Sequence, residues 1–325
     1  EEWRSTCNNI ESISATFVEN KKRITLLNCM YSGHSSTGYN PIINACAIFL
    51  IDRVLLGYDL TNYDEKFISN ISVEYKDISW FTNKKVYKNE ILKKLINITP
   101  IYKEYKINDK TIIIDILPSF AERKNKIEIN GIMHFTYAFK NKQNIDSALQ
   151  YVYLIKNLLM LLGKRNIDVK SHNINNHSKT YELIDCITDR NIKIENEEVI
   201  DRLNHRNGFK IEDLSNFISI VEKFEDLYER LDPLLELYYN VVKYNVPNLT
   251  RFVNSLTMLE NYSREFDDTN ALALTIAKNG KKPKNGADFI DRVKSLIMNI
   301  NDVFNLSTTK IDNISKKIKD ARTYY

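Results

Sequence analysis

The residues that could do chemistry are concentrated at positions 316–325. Arg322 carries a planar guanidinium that stays charged in proteins and pairs with phosphate oxygens. Lys316 and Lys319 add positive charge nearby, Thr323 and Tyr324 follow Arg322 directly, and a tyrosine can stack on a nucleobase. These residue types indicate a surface that binds the phosphates and bases of RNA. The alternative is a solvated basic face, which is the commoner origin of such lysine runs.

Other catalytic patterns are missing from the sequence. It contains no glycine-rich phosphate loop, no nucleophile elbow and no HExxH pair. Its cysteines, Cys7, Cys29, Cys46 and Cys186, are scattered without zinc-ligand spacing, which indicates buried, reduced thiols. The sequence therefore predicts no metal site and no cofactor.

Size and composition indicate an ordinary globular protein with two domains. The chain has 325 residues, of which 43% are hydrophobic and 27% charged, and its net charge is +4. This length exceeds the size at which one hydrophobic core usually stops growing. The longest apolar runs are too short to span a membrane, so we predict a cytoplasmic protein without membrane partners. Since the sequence begins with Glu1 and not methionine, we expect both ends to be trimmed.

The first part of the chain has strand patterns. Residues 15–18 and 24–27 flank a polar turn and predict a hairpin, and residues 111–116 and 127–139 predict a second one. His134 lies among apolar neighbours in that second hairpin, where a structural role is more common than a catalytic one. The apolar stretch 45–56 predicts a further strand. We expect the strands to be concentrated before Lys140.

From Asp146 onward the hydrophobic period becomes helical. A helix from there should end near Gly163, and a polar, asparagine-rich stretch follows over residues 164–179. Gly208 marks a domain boundary, because everything after it has helical periodicity. Pro233 should begin a new helix.

Three more helices are predicted beyond Pro247. One has its apolar face over residues 252–262, one runs over 289–304, and the last is capped by Ser307 or Thr308. A basic loop over residues 278–286 separates the first two. Short links between amphipathic helices favour an antiparallel bundle.

Several separated stretches resemble one family. Residues 55–81, a strand ending in glycine and a segment closing on Ser-Trp-Phe, and residues 148–169 resemble the N-terminal domain of ApeA-type antiphage defence proteins. Residues 252–264 resemble the family's helix with Leu-Glu-x-Tyr-x-Arg, and residues 288–293 the opening of its fourth helix. Residues 321–325 are similar to the start of its Arg-x-x-x-x-His motif.

The resemblance implies an α+β protein, with a β-rich sensor or regulatory domain over residues 1–207 and a HEPN-like helical domain over 208–325. It implies a metal-independent endoribonuclease that cleaves host RNA, with transfer RNA as one candidate, during abortive infection. Arg322 would be catalytic, and the motif histidine would be residue 327. A homodimer, with a phage protein binding the N-terminal domain as trigger, is also implied.

Glu260 is the second candidate catalytic residue. It could orient Arg322 from across the bundle, or it could pair locally with Arg264 one helical turn later. The alternative for the whole protein is a non-catalytic HEPN-fold module that binds RNA or protein. The residue at position 327 discriminates between the two.

Overall fold

The computed structural model describes residues 9–16, 22–37, 44–60, 62–75, 101–123, 126–163, 166–177, 179–186, 216–243 and 247–324. The chain divides into two compact units, Glu1–Glu222 and Lys223–Tyr325. The predicted boundary between residues 207 and 208 lies outside the described residues and stays a prediction.

The first unit contains a nine-stranded sheet in which all described neighbours are antiparallel. The spatial order is β1-β2-β3-β9-β8-β4-β7-β6-β5. The strands are β1 (Asn9–Thr16), β2 (Arg23–Thr37), β3 (Asn44–Leu56), β4 (Ile68–Tyr75), β5 (Ile101–Ile107), β6 (Lys110–Arg123), β7 (Lys126–Gln143), β8 (Val169–Asn176) and β9 (Lys179–Asp185).

Both predicted hairpins are confirmed. β1 pairs with β2 so that Thr16 lies opposite Arg23, and β6 pairs with β7 over its whole length. His134 faces Asp115 in the second hairpin. Asn108 adopts a left-handed φ of 52° in the tight turn between β5 and β6, a conformation that asparagine tolerates better than most residues.

The expectation that the strands lie before Lys140 was incomplete, because β8 and β9 follow it and occupy the middle of the sheet. Asparagine-rich segments have low strand propensity, so the local pattern predicts no strand here. Strand pairing on both sides overrides that propensity. The buried His172 and Ile174 alternate with half-buried polar residues along β8.

The core of the first unit lies between the sheet and one helix, α1 (Ile145–Gly163). Asn144 caps this helix, because its Oδ1 accepts a hydrogen bond from the Ser147 N–H at 2.9 Å. The helix packs against β4 and β7. Tyr75 and Tyr137 share a buried hydroxyl–hydroxyl hydrogen bond of 2.8 Å beneath it, and burial raises the pKa of both phenols.

Among the described residues, α1 is the one helix long and apolar enough to cross a membrane by length and composition. Of its most apolar window, 61% is buried against the rest of the protein. This is how a core helix lies in a folded domain.

The described part of the chain from residue 217 to residue 324 is helical, which confirms the α+β class. The helices are α2 (Phe217–Lys243), α3 (Asn248–Phe266), α4 (Asp268–Asn279), α5 (Phe289–Asn299), α6 (Asn301–Phe304) and α7 (Thr308–Tyr324).

The helical part differs from the prediction in three respects. Pro233 lies inside α2 and does not begin a new helix. Proline breaks one backbone hydrogen bond, but the apolar residues on both sides of it keep one periodicity, so the helix continues. The sequence also missed α4, and the predicted helix over 289–304 is interrupted at Ile300. Ser307 provides the predicted cap, accepting from the Lys310 N–H at 3.4 Å.

α5 lies at the centre of the second unit, in contact with α3, α4 and α7. Its Val293 is fully buried. Polar contacts tie α5 to α4: Asp291 accepts a hydrogen bond from the buried Thr275 hydroxyl at 2.9 Å, and Arg292 pairs with Asp268 at 2.7 Å. On the other side, Lys294 pairs with Asp312 of α7 at 2.6 Å. α5 therefore lies against both α3 and α7.

Candidate functional site

Glu260 and Arg322 come together, although 62 positions separate them in the sequence. Glu260 lies in the second half of α3, and Arg322 lies in the last described turn of α7. Glu260 Oε2 lies 3.0 Å from Arg322 Nη2, an ion pair between the two helices. The Glu260 side chain is only 18% exposed, whereas that of Arg322 is 44% exposed. A largely buried carboxylate thus holds a half-exposed guanidinium.

The same carboxylate holds a second arginine. Glu260 Oε1 accepts a hydrogen bond from Arg264 Nη2 at 2.8 Å, one turn later on α3. The sequence left open whether Glu260 orients Arg322 or pairs locally with Arg264. The structure contains both contacts, one through each carboxylate oxygen.

Phe289, the first residue of α5, supports the Arg322 guanidinium from another side. The central carbon of the guanidinium lies 4.2 Å from the centroid of the Phe289 ring. An arginine over an aromatic face at this distance is attracted by the negative face of the ring. Glu260 and Phe289 together fix the direction of Arg322, while almost half of its side chain still faces solvent. An incoming anion can reach it.

The sequence contained Phe289 only as part of an apolar helix face. Its contact with Arg322 depends on how α5 and α7 pack, which no spacing within a single helix reveals. The nearest sequence signal was that Phe289 belongs to the segment 288–293, which resembles the opening of the family's fourth helix.

The other predicted nucleic-acid-binding residues do not join this contact network in the part of the chain that the structure describes. Lys316 and Lys319 are exposed on α7. The Thr323 hydroxyl donates to the Lys319 backbone carbonyl at 3.0 Å, a common local bond of a helical threonine. The Tyr324 side chain lies outside the described residues. Their proposed contacts with RNA stay predictions.

The segment 278–286, predicted as a basic loop, begins with the last two residues of α4 and continues toward α5. Lys278 forms a long ion pair with Asp288 at 3.5 Å, and Lys281, Lys282 and Lys284 are exposed. Gly280 ends α4 in the left-handed conformation with a φ of 70°, which glycine commonly adopts directly after a helix. The loop thus leads from α4 directly to Phe289.

Within the described residues, no three histidine, cysteine, aspartate or glutamate side chains lie close enough to hold a metal ion. Of the cysteines that the structure describes, Cys29 is buried and Cys186 is half-buried. The chemistry offered by the site is therefore that of two guanidinium groups, one carboxylate and an aromatic ring. Such a set can bind a phosphodiester and stabilise negative charge that develops on it.

A family model named ApeA N-terminal domain 1 matches residues 8–227, about two thirds of the chain. The chain therefore belongs to this family, and it is an antiphage defence protein. No curated protein and no solved structure matches it. The matched region includes the whole described sheet and ends before Glu260, so the arginine–carboxylate site is known from its geometry alone.

Proposed function

We propose that the protein is a metal-independent endoribonuclease of the HEPN type that cleaves host RNA, with transfer RNA as a candidate substrate, when a phage infects the cell. The observation that carries the proposal is the ion pair between Glu260 and Arg322, which orients a half-exposed guanidinium across two helices. The chain belongs to an antiphage family, and cleavage of host RNA would halt the growth of the phage.

Metal-free RNA cleavage needs a group that takes a proton from the 2′-hydroxyl, a group that protonates the leaving 5′-oxygen, and a cation for the charged phosphorus intermediate. Arg322 supplies the cation. We propose a histidine at position 327, which would supply proton transfer near neutral pH. Five helical residues correspond to about 500° of rotation, so both side chains can reach one phosphate without lying directly above one another.

The 2′-oxygen attacks the adjacent phosphorus in this reaction, and the bond to the 5′-oxygen breaks. The products carry a 2′,3′-cyclic phosphate and a free 5′-hydroxyl. Two copies of α7 would form a composite site, so the proposal includes a homodimer. It also includes a phage protein that binds the N-terminal unit, and a cytoplasmic location.

The deciding experiment uses the protein extended past Tyr325. Its expression should be toxic, and the purified protein should cleave RNA in the presence of EDTA. Arg322→Ala should abolish cleavage and leave the helices folded, whereas Lys310→Ala, at the other end of the same helix, should cleave at close to the parental rate. Arg322→Ala that cuts at the parental rate would show that this helix is not the active site.

The competing function is a non-catalytic module that binds RNA or protein. The exposed Lys316 and Lys319 of α7 and the lysines of the basic loop favour it as much as they favour an enzyme, because both must attract phosphates. A residue other than histidine at position 327, together with RNA binding but no cleavage, would establish that alternative.

A further inference from the structure

We propose that Arg264 is a second phosphate-binding residue of this site, which acts on the phosphodiester backbone of single-stranded RNA beside Arg322. The inference deepens the proposed function and rests on it. The two arginines come from different helices, and the opposite oxygens of one carboxylate hold them, at 2.8 Å for Arg264 and 3.0 Å for Arg322.

Sharing of one carboxylate distinguishes this cluster from the other ion pairs in the helical unit. Among the ion pairs of the described residues, Glu260 is the one carboxylate with two basic partners. The remaining pairs there are one-to-one: Arg230 with Glu265, Lys278 with Asp288, Arg292 with Asp268 and Lys294 with Asp312. Two cations on one anion leave one uncompensated positive charge, and the two guanidinium groups repel each other.

Stability alone does not account for Arg264. Its side chain is 62% exposed, and exposed ion pairs between residues one helical turn apart contribute little to stability. The guanidinium has five N–H donors, and its contact with Glu260 uses a single terminal nitrogen. The remaining donors are available to a phosphate, which would also relieve the repulsion between the two cations.

The expected role of Arg264 is substrate binding. Arg322 is held against both Glu260 and Phe289, whereas the described contact of Arg264 is with Glu260 alone. A less constrained cation serves as an electrostatic anchor for the RNA strand. Removing such an anchor weakens the binding of the substrate and of the transition state equally. KM therefore rises while kcat changes little.

Salt dependence of binding gives the direct test. The probe is a short single-stranded 2′-O-methyl oligouridine, which cannot be cleaved because its 2′-oxygen is blocked. In the protein extended past Tyr325, the slope of log Kd against log salt concentration should fall by about 0.7 in Arg264→Ala, the loss of one single-strand phosphate contact. Arg264→Gln should behave like Arg264→Ala, and Arg264→Lys should keep most of the slope.

The matched control is Arg251→Ala. Arg251 is an exposed arginine near the start of the same helix, and its removal changes net charge equally. In Arg251→Ala the slope of log Kd against log salt concentration should stay at the parental value. If Arg251→Ala lowers the slope as much as Arg264→Ala does, the effect is general charge attraction and the proposal is wrong.

Two further outcomes overturn the proposal. The parental protein could fail to bind the probe at all. Alternatively, Arg264→Ala could keep the parental slope and KM but lose kcat as Glu260→Gln does, which would assign Arg264 only to holding Glu260. Failure of the ribonuclease proposal looks different, because it appears as absent cleavage of unmodified RNA by the parental protein. RNA binding with an Arg264-dependent slope but no cleavage would support the anchor within a non-catalytic module.

Discussion

The guanidinium of Arg322 lies 4.2 Å from the centre of the Phe289 ring. Phe289 is the first residue of α5, and α5 is the helix that contacts α3, α4 and α7. The candidate catalytic cation is therefore positioned by the start of the central helix as well as by Glu260.

Replacing Phe289 by leucine should lower RNA cleavage without unfolding the protein. Leucine keeps an apolar side chain but lacks the ring face that attracts the guanidinium. A cation–π contact at a partly exposed site contributes about 0.5–1 kcal/mol, so kcat/KM should fall about two- to fivefold. Phe289→Tyr should retain the parental value, and Phe304→Leu, which alters an aromatic side chain that is 58% exposed, serves as the control. Equal values of kcat/KM in the parent and in Phe289→Leu would show that the aromatic ring does not contribute to the site.

Glu260 and Arg322 should act as one unit. Glu260→Gln keeps the shape of the side chain but loses the charge that orients Arg322, and we expect about a tenfold lower kcat, of the order of a charge-assisted hydrogen bond. Because Arg322→Ala should already abolish cleavage, the coupling is measured against Arg322→Lys, and Glu260→Gln should lower kcat less in that background than in the parent. Additive losses in the double variant would mean that Glu260 acts independently of the arginine.

Thr275 should be important for stability. Its side chain is fully buried, its hydroxyl donates to Asp291, and it accepts a hydrogen bond from the Asp288 N–H at 3.1 Å. Valine has the same shape but leaves the Asp291 carboxylate and the Asp288 amide without this partner. The free energy of unfolding should fall by about 1–3 kcal/mol in urea titrations. Thr269→Val, at an exposed position of the same helix, should be close to neutral.

Gly286 and Gly280 form a matched pair for separating backbone strain from steric contact. Both have a left-handed φ, 78° and 70° respectively. A Cβ at position 286 would lie 3.3 Å from Arg292 Nη2, whereas nothing lies within 4 Å of a Cβ at position 280. Alanine at position 280 should cost about 1 kcal/mol for the conformation alone, and alanine at position 286 should cost more. Equal thermal shifts for the two variants would show that Arg292 moves away freely.

The protein extended past Tyr325 should be a homodimer in which the two copies of Arg322 approach a shared cleft. The reason is that α7 of one copy offers a single arginine, and a second copy would bring a second one to the same cleft. Light scattering at micromolar concentration measures this directly. A monomer at that concentration would count against a composite site.

The sequence predicted the parts of the structure in which local pattern and tertiary packing agree. The hairpins β1–β2 and β6–β7 followed from alternating apolar residues, and the helical end followed from apolar stripes. β8 was missed because asparagines disfavour strands locally, while its pairing with β4 and β9 is non-local. Pro233 was misread because a proline commonly begins a helix, and here the helix continues through it.

The candidate site also contains one contact that the sequence could predict and others that depend on packing between helices. Glu260 and Arg264 are one turn apart, so their contact could be predicted from spacing. The contact of Glu260 with Arg322 was one of two alternatives and needed the packing of α3, α5 and α7. Phe289 could not be assigned to the site at all, since no periodicity within α5 indicates which helix crosses its first residue.

The middle position of β8 and β9 has a consequence for how the protein is made. β1 to β3 and β4 to β7 form two separate groups of strands in the described sheet, and β8 and β9 join them through β3 and β4. On the ribosome, residues 169–185 emerge after all the strands that they connect. Until then β3 and β4 are open edges that can pair with other chains. Nascent chains that stop before residue 169 should therefore aggregate, and their release from chaperones should depend on the arrival of this late hairpin.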